Sequence, residues 1–472
     1  MSRQPHLYFC YLLMLLLPFF HLLESPLAMT VEAEKKMGEK ILLELEPRIE
    51  RVRDLTLQAY IDRIGQTLVA QAGPTPFEIT FSIIKGTDPN AFAIPGGHIF
   101  LTTGLLVSAD SEQELAGVIS HEIAHVMGRH VAQLIERSKR LNIASLAAII
   151  AGALIGGGGK VTEAVAVTAL AASEAFALKY TRDMEVEADQ NALLYLNRAG
   201  YDPKGLVSFM NKIYKLSLTL GPGIPPYLST HPAIGDRISL MENLLQAGTR
   251  AAGLPPYRVL ESYRKIQAKA FVEEREPHVA VQHFQSLIDA HPGESDFHYG
   301  LGMAYRKTGR MDRAIEAFQA GLSLSSEDRC LLRELGITYF LSGKLDEACK
   351  ALEAVQASSQ TSGDRFEDWS GVYFLGRCYL EMGRLAQALA SFQKVRGRFS
   401  DWPEVYHSLG SVYGRMGQKG LSHFYFGKHF KLRRDSRSAL LHFRTALEGL
   451  ERGSPERQEA LREIQELSGT KK

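Results

Sequence analysis

The sequence predicts a mainly α-helical protein in two parts, the first holding a small β-sheet and the second built of stacked helical pairs. Three observations carry this reading. Helical periodicity of apolar residues runs through most of the chain, including the stretch around His121-Glu122-Ile123-Ala124-His125. Two short runs, residues 77–84 and 98–103, are rich in β-branched and aromatic residues instead. Beyond about residue 256 the chain repeats itself with a period of 34 residues.

Length and composition set the outer bounds. A chain of 472 residues has room for two or three domains. Its net charge of +1 supplies no basic excess to neutralise phosphates, so no nucleic-acid partner is expected. Arg3 leads into LYFCYLLMLLLPFFHLL at residues 7–23, a positive n-region followed by an apolar h-region. Residues 1–28 therefore read as an export signal ending at Ala28, or as an uncleaved anchor, since the run is nearly long enough to span a bilayer. Either outcome exports the rest of the chain. Of four cysteines, Cys330, Cys349 and Cys378 lie beyond the signal. Cys349 and Cys378 fall on consecutive repeat helices, which makes a bridge between them conceivable. No CxxC occurs, which argues against a cysteine metal site.

The elements follow in order. Residues 31–72 read as helices, ended by Gly73, Pro74 and Pro76. Residues 77–84 form a strand, residues 85–89 a turn, and residues 98–103 a second strand, bent at Gly96-Gly97. Ser111 caps a helix over 112–137, and Glu114 completes a capping box. The apolar stretch 141–178, interrupted by four glycines, reads as a mobile flap or as buried core helices, with a membrane-inserted hairpin as a third reading. A helix over 176–199 carries MEVEADQNALLYL and stops at Gly200 and Pro203. Residues 221–237 read as an irregular loop, and 246–256 as a linker. The expected domains are thus 29–245 and 256–472.

In the second part, Gly302, Tyr305, Gly309, Ala314 and Phe318 recur as Gly336, Tyr339, Gly343, Ala348 and Leu352. They return as Gly376, Tyr379, Gly383, Ala388 and Phe392, and again as Gly410, Tyr413, Gly417 and Phe426. A degenerate earlier copy holds Ala268, Phe271, Ala280 and Phe284. A last pair, with Gly427, Phe430, Ala439, Phe443 and Ala446, shares a helix with its predecessor. The spacing is that of tetratricopeptide repeats, which stack into a superhelix with a groove for peptides or proteins.

The chemistry centres on the HExxH pentapeptide. His121 and His125 share one helix face and can grip one zinc ion, while Glu122 reaches a water beside it. A third ligand must come from elsewhere. Glu185, in Glu185-Val186-Glu187-Ala188-Asp189, is the choice, with Asp189 orienting a ligating imidazole. Glu187 is a rival ligand, and a solvated acidic face is the alternative for the whole stretch. His231, in Ser229-Thr230-His231-Pro232, either donates to the oxyanion or takes the fourth zinc position and holds the site off. His130 is expected to point off the ligand face and to serve structure.

The segments NAFAIPGGHIFLTTGLL, HEIAHVMGRH, MEVEAD and STHP together resemble the HtpX/Ste-type gluzincin peptidases. With an export signal and C-terminal repeats, the chain resembles the BepA-type periplasmic metalloproteases and chaperones of Gram-negative bacteria. The resemblance implies a helical gluzincin metallopeptidase domain with a small β-sheet, followed by a tetratricopeptide superhelix. It implies one Zn2+ on His121, His125 and Glu185, with Glu122 catalytic and Asp189 in support. His231 would match a loop histidine that caps zinc in a latent form. Gly97, His98, Ile99 and Phe100 would belong to an edge strand that binds substrate by β-addition. The family implies a periplasmic location and protein or peptide substrates. Its repeats would dock on outer-membrane assembly machinery or its clients, and misfolded or stalled outer-membrane proteins would be degraded. A chaperone with a silent peptidase and a membrane-embedded protease are the alternative functions. The chain departs from the pattern in having no cysteine within residues 29–245 to bridge to the repeats.

Overall fold

The computed structural model describes residues 29–137, 143–144, 147, 150, 180–219, 226–247, 262–361 and 368–469. The export segment and most of the expected flap at 141–178 lie outside the described residues. No helix among the described residues is long and apolar enough to cross a membrane.

The first part opens with helices α1 (Val31–Leu45) and α2 (Leu55–Ala72), capped by the side chains of Thr30 and Asp54. Gly73, at φ 94, and Pro74 then end α2. Three strands follow: β1 (Thr80–Ile84), β2 (Ala91–Ile94) and β3 (His98–Thr102). The sheet order is β1-β3-β2, with β1 parallel and β2 antiparallel to β3. Gly96 and Gly97, at φ 86 and 93, make the turn between β2 and β3 that a side chain would strain.

This order corrects one expectation. His98, Ile99 and Phe100 are in the central strand, and Gly97 is in the turn that leads into it, so this segment cannot accept an added strand. Ile99, Phe100 and Leu101 are fully buried, as a strand with neighbours on both sides should be. The edge beside the HExxH helix belongs instead to β2, a strand the sequence reading did not separate from the turn.

Helix α3 (Thr103–Ser108) leads to α4 (Glu112–Met127), which Ser111 caps as expected. The single helix expected over 112–137 breaks at Gly128-Arg129, where Arg129 takes a left-handed φ of 52, and restarts as α5 (His130–Arg137). Helices α6 (Arg182–Ala199) and α7 (Lys204–Thr219) pack on α4. The expected loop at 221–237 holds a short helix, α8 (Pro226–Thr230), and the start of α9 (Ile234–Gln246). The α4–α7 crossing is close because residue 117 is glycine. A Cβ there would stand 2.7 Å from the Leu206 backbone. Gly117→Ala is expected to destabilise the protein by roughly 1–3 kcal/mol through overpacking, read as a lowered midpoint in thermal unfolding.

The second part is a run of helical hairpins. Its helices are α10 (Tyr263–Glu274), α11 (Pro277–Ala290), α12 (Ser295–Lys307), α13 (Met311–Leu324), α14 (Arg329–Leu341) and α15 (Leu345–Thr361). They continue as α16 (Trp369–Glu381), α17 (Leu385–Arg398), α18 (Pro403–Arg415), α19 (Lys419–Leu432), α20 (Ser436–Gly449) and α21 (Pro455–Gly469). The repeated small residues lie under rings: Gly302 faces Phe318, Gly376 faces Phe392, and Gly427 of the shared helix α19 faces Phe443. Cys330, Cys349 and Cys378 are buried, and the conceivable Cys349–Cys378 bridge is absent. The Cys349 sulfur turns instead to Glu353 and Arg384, at 3.4 and 3.6 Å.

The repeats dock on the first part. Tyr263 Oη donates to the Leu106 carbonyl at 2.9 Å, and Gln267 Nε2 to that of Ala109 at 2.6 Å. The N-terminus of α2 enters the repeat array: Leu55 joins its apolar core, the Thr56 and Ser370 hydroxyls meet at 2.9 Å, and Lys269 pairs with Asp54 at 3.1 Å.

Candidate active site

Helix α4 carries His121, Glu122 and His125 into the interior, all fully buried. Its neighbour α6 presents Glu185 and Asp189, also buried, from one face. The loop between α8 and α9 adds His231. The structure brings His121, His125, Glu185 and His231 together, with one ligand atom from each lying within 4.8 Å of the others. Nε2 of His121 is 3.0 Å from Nε2 of His125 and 3.3 Å from Nδ1 of His231. Glu185 Oε1 is 3.0 Å from His231 Nδ1 and 3.5 Å from His125 Nε2. Four donors bound at zinc distances to one ion would stand about 3.3–3.4 Å apart at the edges of a tetrahedron. The four separations given, 3.0–3.5 Å, lie around that edge, and the donor set of imidazoles and one carboxylate is one that zinc takes. Glu187 does not join the cluster. It is exposed, with its carboxylate 3.6 Å from His130.

Around this cluster lies a shell that fixes the ligands. His121 Nδ1 is 3.0 Å from Asp189 Oδ1, which leaves Nε2 to face the other ligands. Arg237 grips Asp189 with its fork, Nε and Nη2 each 2.7 Å from a carboxylate oxygen, and its Nη1 meets Glu185 Oε2. Burial pushes the Glu185 carboxyl up, but the charges of His231 and Arg237 outweigh it and hold the group well below the usual carboxylate range. Burial acts alike on Asp189, and the hydrogen bonds from Arg237 and His121 again prevail and lower it. Glu122 is different. Its burial dominates and raises it, and neither of its oxygens has a hydrogen-bond partner among the described residues. It faces His231 Nε2 at 3.4 Å and the Ala93 amide of β2.

Several contributors were missed or misread from sequence. His130 does reach the site: its Nδ1 is 2.8 Å from Nδ1 of His125, because the break at Arg129 swings it back. Tyr180 stacks on His125 with centroids 3.8 Å apart, and Tyr227 on His231 at 4.6 Å. Arg237, six residues after His231, was passed over; a buried cation beside two buried carboxylates leaves no periodic trace. Between the two, Ala233 is held at φ 59, a left-handed turn that aims the loop and the start of α9 in different directions.

A buried HExxH helix with a glutamate from a second helix is the arrangement of a metallopeptidase. Residues 56–245 match Peptidase family M48, and residues 267–329 and 333–401 match the tetratricopeptide repeat. Residues 56–245 are thus similar to family M48 peptidases, and the helical hairpins beyond them to tetratricopeptide arrays. It is 31% identical over 294 residues to a Vibrio cholerae protein provisionally named beta-barrel assembly-enhancing protease, covering 61% of this chain and 59% of that one. The Escherichia coli beta-barrel assembly-enhancing protease is 28% identical over 243 residues, 51% of this chain and 48% of that one. The mitochondrial metalloendopeptidase OMA1 of Schizosaccharomyces pombe is 28% identical over 186 residues, 39% of this chain and 52% of that one. The chain spans about half to three fifths of the length of these relatives.

Proposed function

We propose that the chain is a zinc-dependent endopeptidase of the periplasm that cleaves misfolded or stalled outer-membrane proteins, held in a latent state by His231. The four-residue cluster, with one ligand atom from each residue within 4.8 Å of the others, carries this reading. His121, His125 and Glu185 are the proposed zinc ligands. Bound zinc supplies Lewis acidity to the scissile carbonyl and to the attacking water. Glu122 accepts the proton of that water and passes it to the leaving amine, a role suited to a carboxyl raised by burial. Asp189 and Arg237 keep the ligands aimed. An extended substrate would pair with the open edge of β2, whose Ala93 amide lies beside Glu122. The names of the relatives support envelope proteins as substrates, and the export segment supports the location.

Catalytic zinc keeps one position open, whereas four protein ligands make a closed site. His231 fills the fourth position, which favours a second, compatible reading: binding through the repeats dominates until His231 withdraws. The test is zinc content and cleavage of an unfolded protein by the chain beside His231→Ala. One zinc per chain is expected in both. If the closed arrangement is favoured by about 1.4 kcal/mol, His231→Ala cleaves about tenfold faster. Absence of zinc would sink the mechanism; equal or lost cleavage in His231→Ala would sink the latch.

A further inference from the structure

We propose that export processing cuts the chain between Ala28 and Met29, and that the α-ammonium released there pairs with Glu136 to complete a charge cluster beside the active site. The cut adds water across one peptide bond. The Ala28 carbonyl leaves as a carboxylate, and the Met29 nitrogen stays behind as an ammonium. A peptidase of the export machinery supplies the catalysis. Ala28 is a small residue at the end of the apolar leader, as such a cut requires.

Met29, the first described residue, is tied down at both of its backbone polar groups. Its nitrogen donates to Oε1 of Glu136, on α5. Its carbonyl accepts from Arg129 Nη2 at 2.5 Å. Thr30 then caps α1. Arg129 Nε is 2.6 Å from Oε2 of Glu34, which is 3% exposed and also accepts from the Gly96 amide. The start of α1, the β2–β3 turn and the break between α4 and α5 thus meet around Met29.

Charge balance points to what completes the cluster. Burial raises the Glu34 carboxyl, Arg129 lowers it, and the nearby charge of Glu136 pushes it up again. Among the described residues Arg129 is the one ion-pair partner of these two carboxylates, and it is committed to Glu34. Glu136 meets only a neutral N–H. An ammonium at that same nitrogen brings the second positive charge and further donors with no movement of the chain. The seat bears on the site because Arg129 is the left-handed residue from which α5 restarts, and His130, the first residue of α5, lies 2.8 Å from His125. A chain that keeps its leader has no charge to put there, so the break is held less firmly until export is complete. The proposal rests on residues 1–28 being an export leader and not on the zinc chemistry.

The experiment uses the whole chain, exported by bacteria under its own leader and purified from their envelope. Intact mass should place its first residue at Met29. Its amines are then dimethylated with carbon-13 formaldehyde and followed by NMR against pH. The α-amine should titrate about one unit above its ordinary range of about 7.7–8.0. Glu136→Gln should return it to that range, and Glu136→Asp only in part. A raised amine contributes stability below its ordinary pKa and loses it as pH rises through the raised one. Parent and Glu136→Gln should therefore melt apart at neutral pH and together above about pH 10. A purified chain that keeps residues 1–28 would overturn the cleaved-leader reading and this proposal with it. A first residue other than Met29, or an α-amine in its ordinary range or unmoved by Glu136→Gln, would overturn this proposal alone. Absence of zinc would bear on the peptidase reading and leave it standing.

Discussion

Glu122→Gln is expected to lower cleavage of an unfolded protein by about 100- to 10,000-fold, the range for loss of a positioned general base. The amide has the shape of the carboxylate but cannot take a proton. Glu122 is fully buried, its oxygens have no hydrogen-bond partner among the described residues, and burial already raises its pKa. Removing its charge should therefore cost little stability, because burial already disfavours the charged form. Zinc content, measured by plasma mass spectrometry, should stay at one per chain. Cleavage retained within a few-fold would show that the proton leaves by another route.

The second large effect is at Arg237. Replacing it with leucine leaves Asp189 and Glu185 buried without their shared cation, an arrangement that costs about 3–5 kcal/mol when one partner of a buried pair is removed. The same change frees Asp189 from the fork that orients it toward His121, and loss of such support lowers metal affinity by about 10- to 100-fold. Arg237→Lys keeps the charge and loses the fork, so it should recover more stability than metal affinity. Urea unfolding together with competition against a zinc chelator separates the two. If Arg237→Leu unfolds like the parent chain, the buried charges find compensation elsewhere and the positioning role fails.

The parts of this site that were legible in sequence are those that repeat with a helix. HExxH and ExxxD each place two groups on one face, and the period alone brings them forward. The 34-residue register was legible for the same reason: the first helix of a hairpin presents a small residue to a large apolar side chain of the second, as Gly302 does to Phe318 and Gly336 to Leu352. What escaped was set by tertiary order. Two short apolar runs announce strands but not which one lies in the middle, so β3 was read as the edge and β2 was not separated from its turn. His130 was judged by the geometry of a helix that ends before it; one left-handed residue, Arg129, reverses its direction. Arg237 and the two tyrosines act across loops, where no spacing rule connects them to the histidines they serve.

The docking of α2 into the repeats has a further consequence. The peptidase domain and the repeat array behave as a complex whose two partners happen to be tethered. A short tether supplies an effective concentration of about a millimolar, so an interface of only micromolar intrinsic affinity would stay closed about 99.9% of the time. A single cut between Ala247 and Ser262 would remove that advantage without touching one contact. Assembly would then follow dilution, and the halves would part at concentrations below their own dissociation constant. The integrity of one covalent connection would in this way govern whether Asp54 keeps its seat on Lys269.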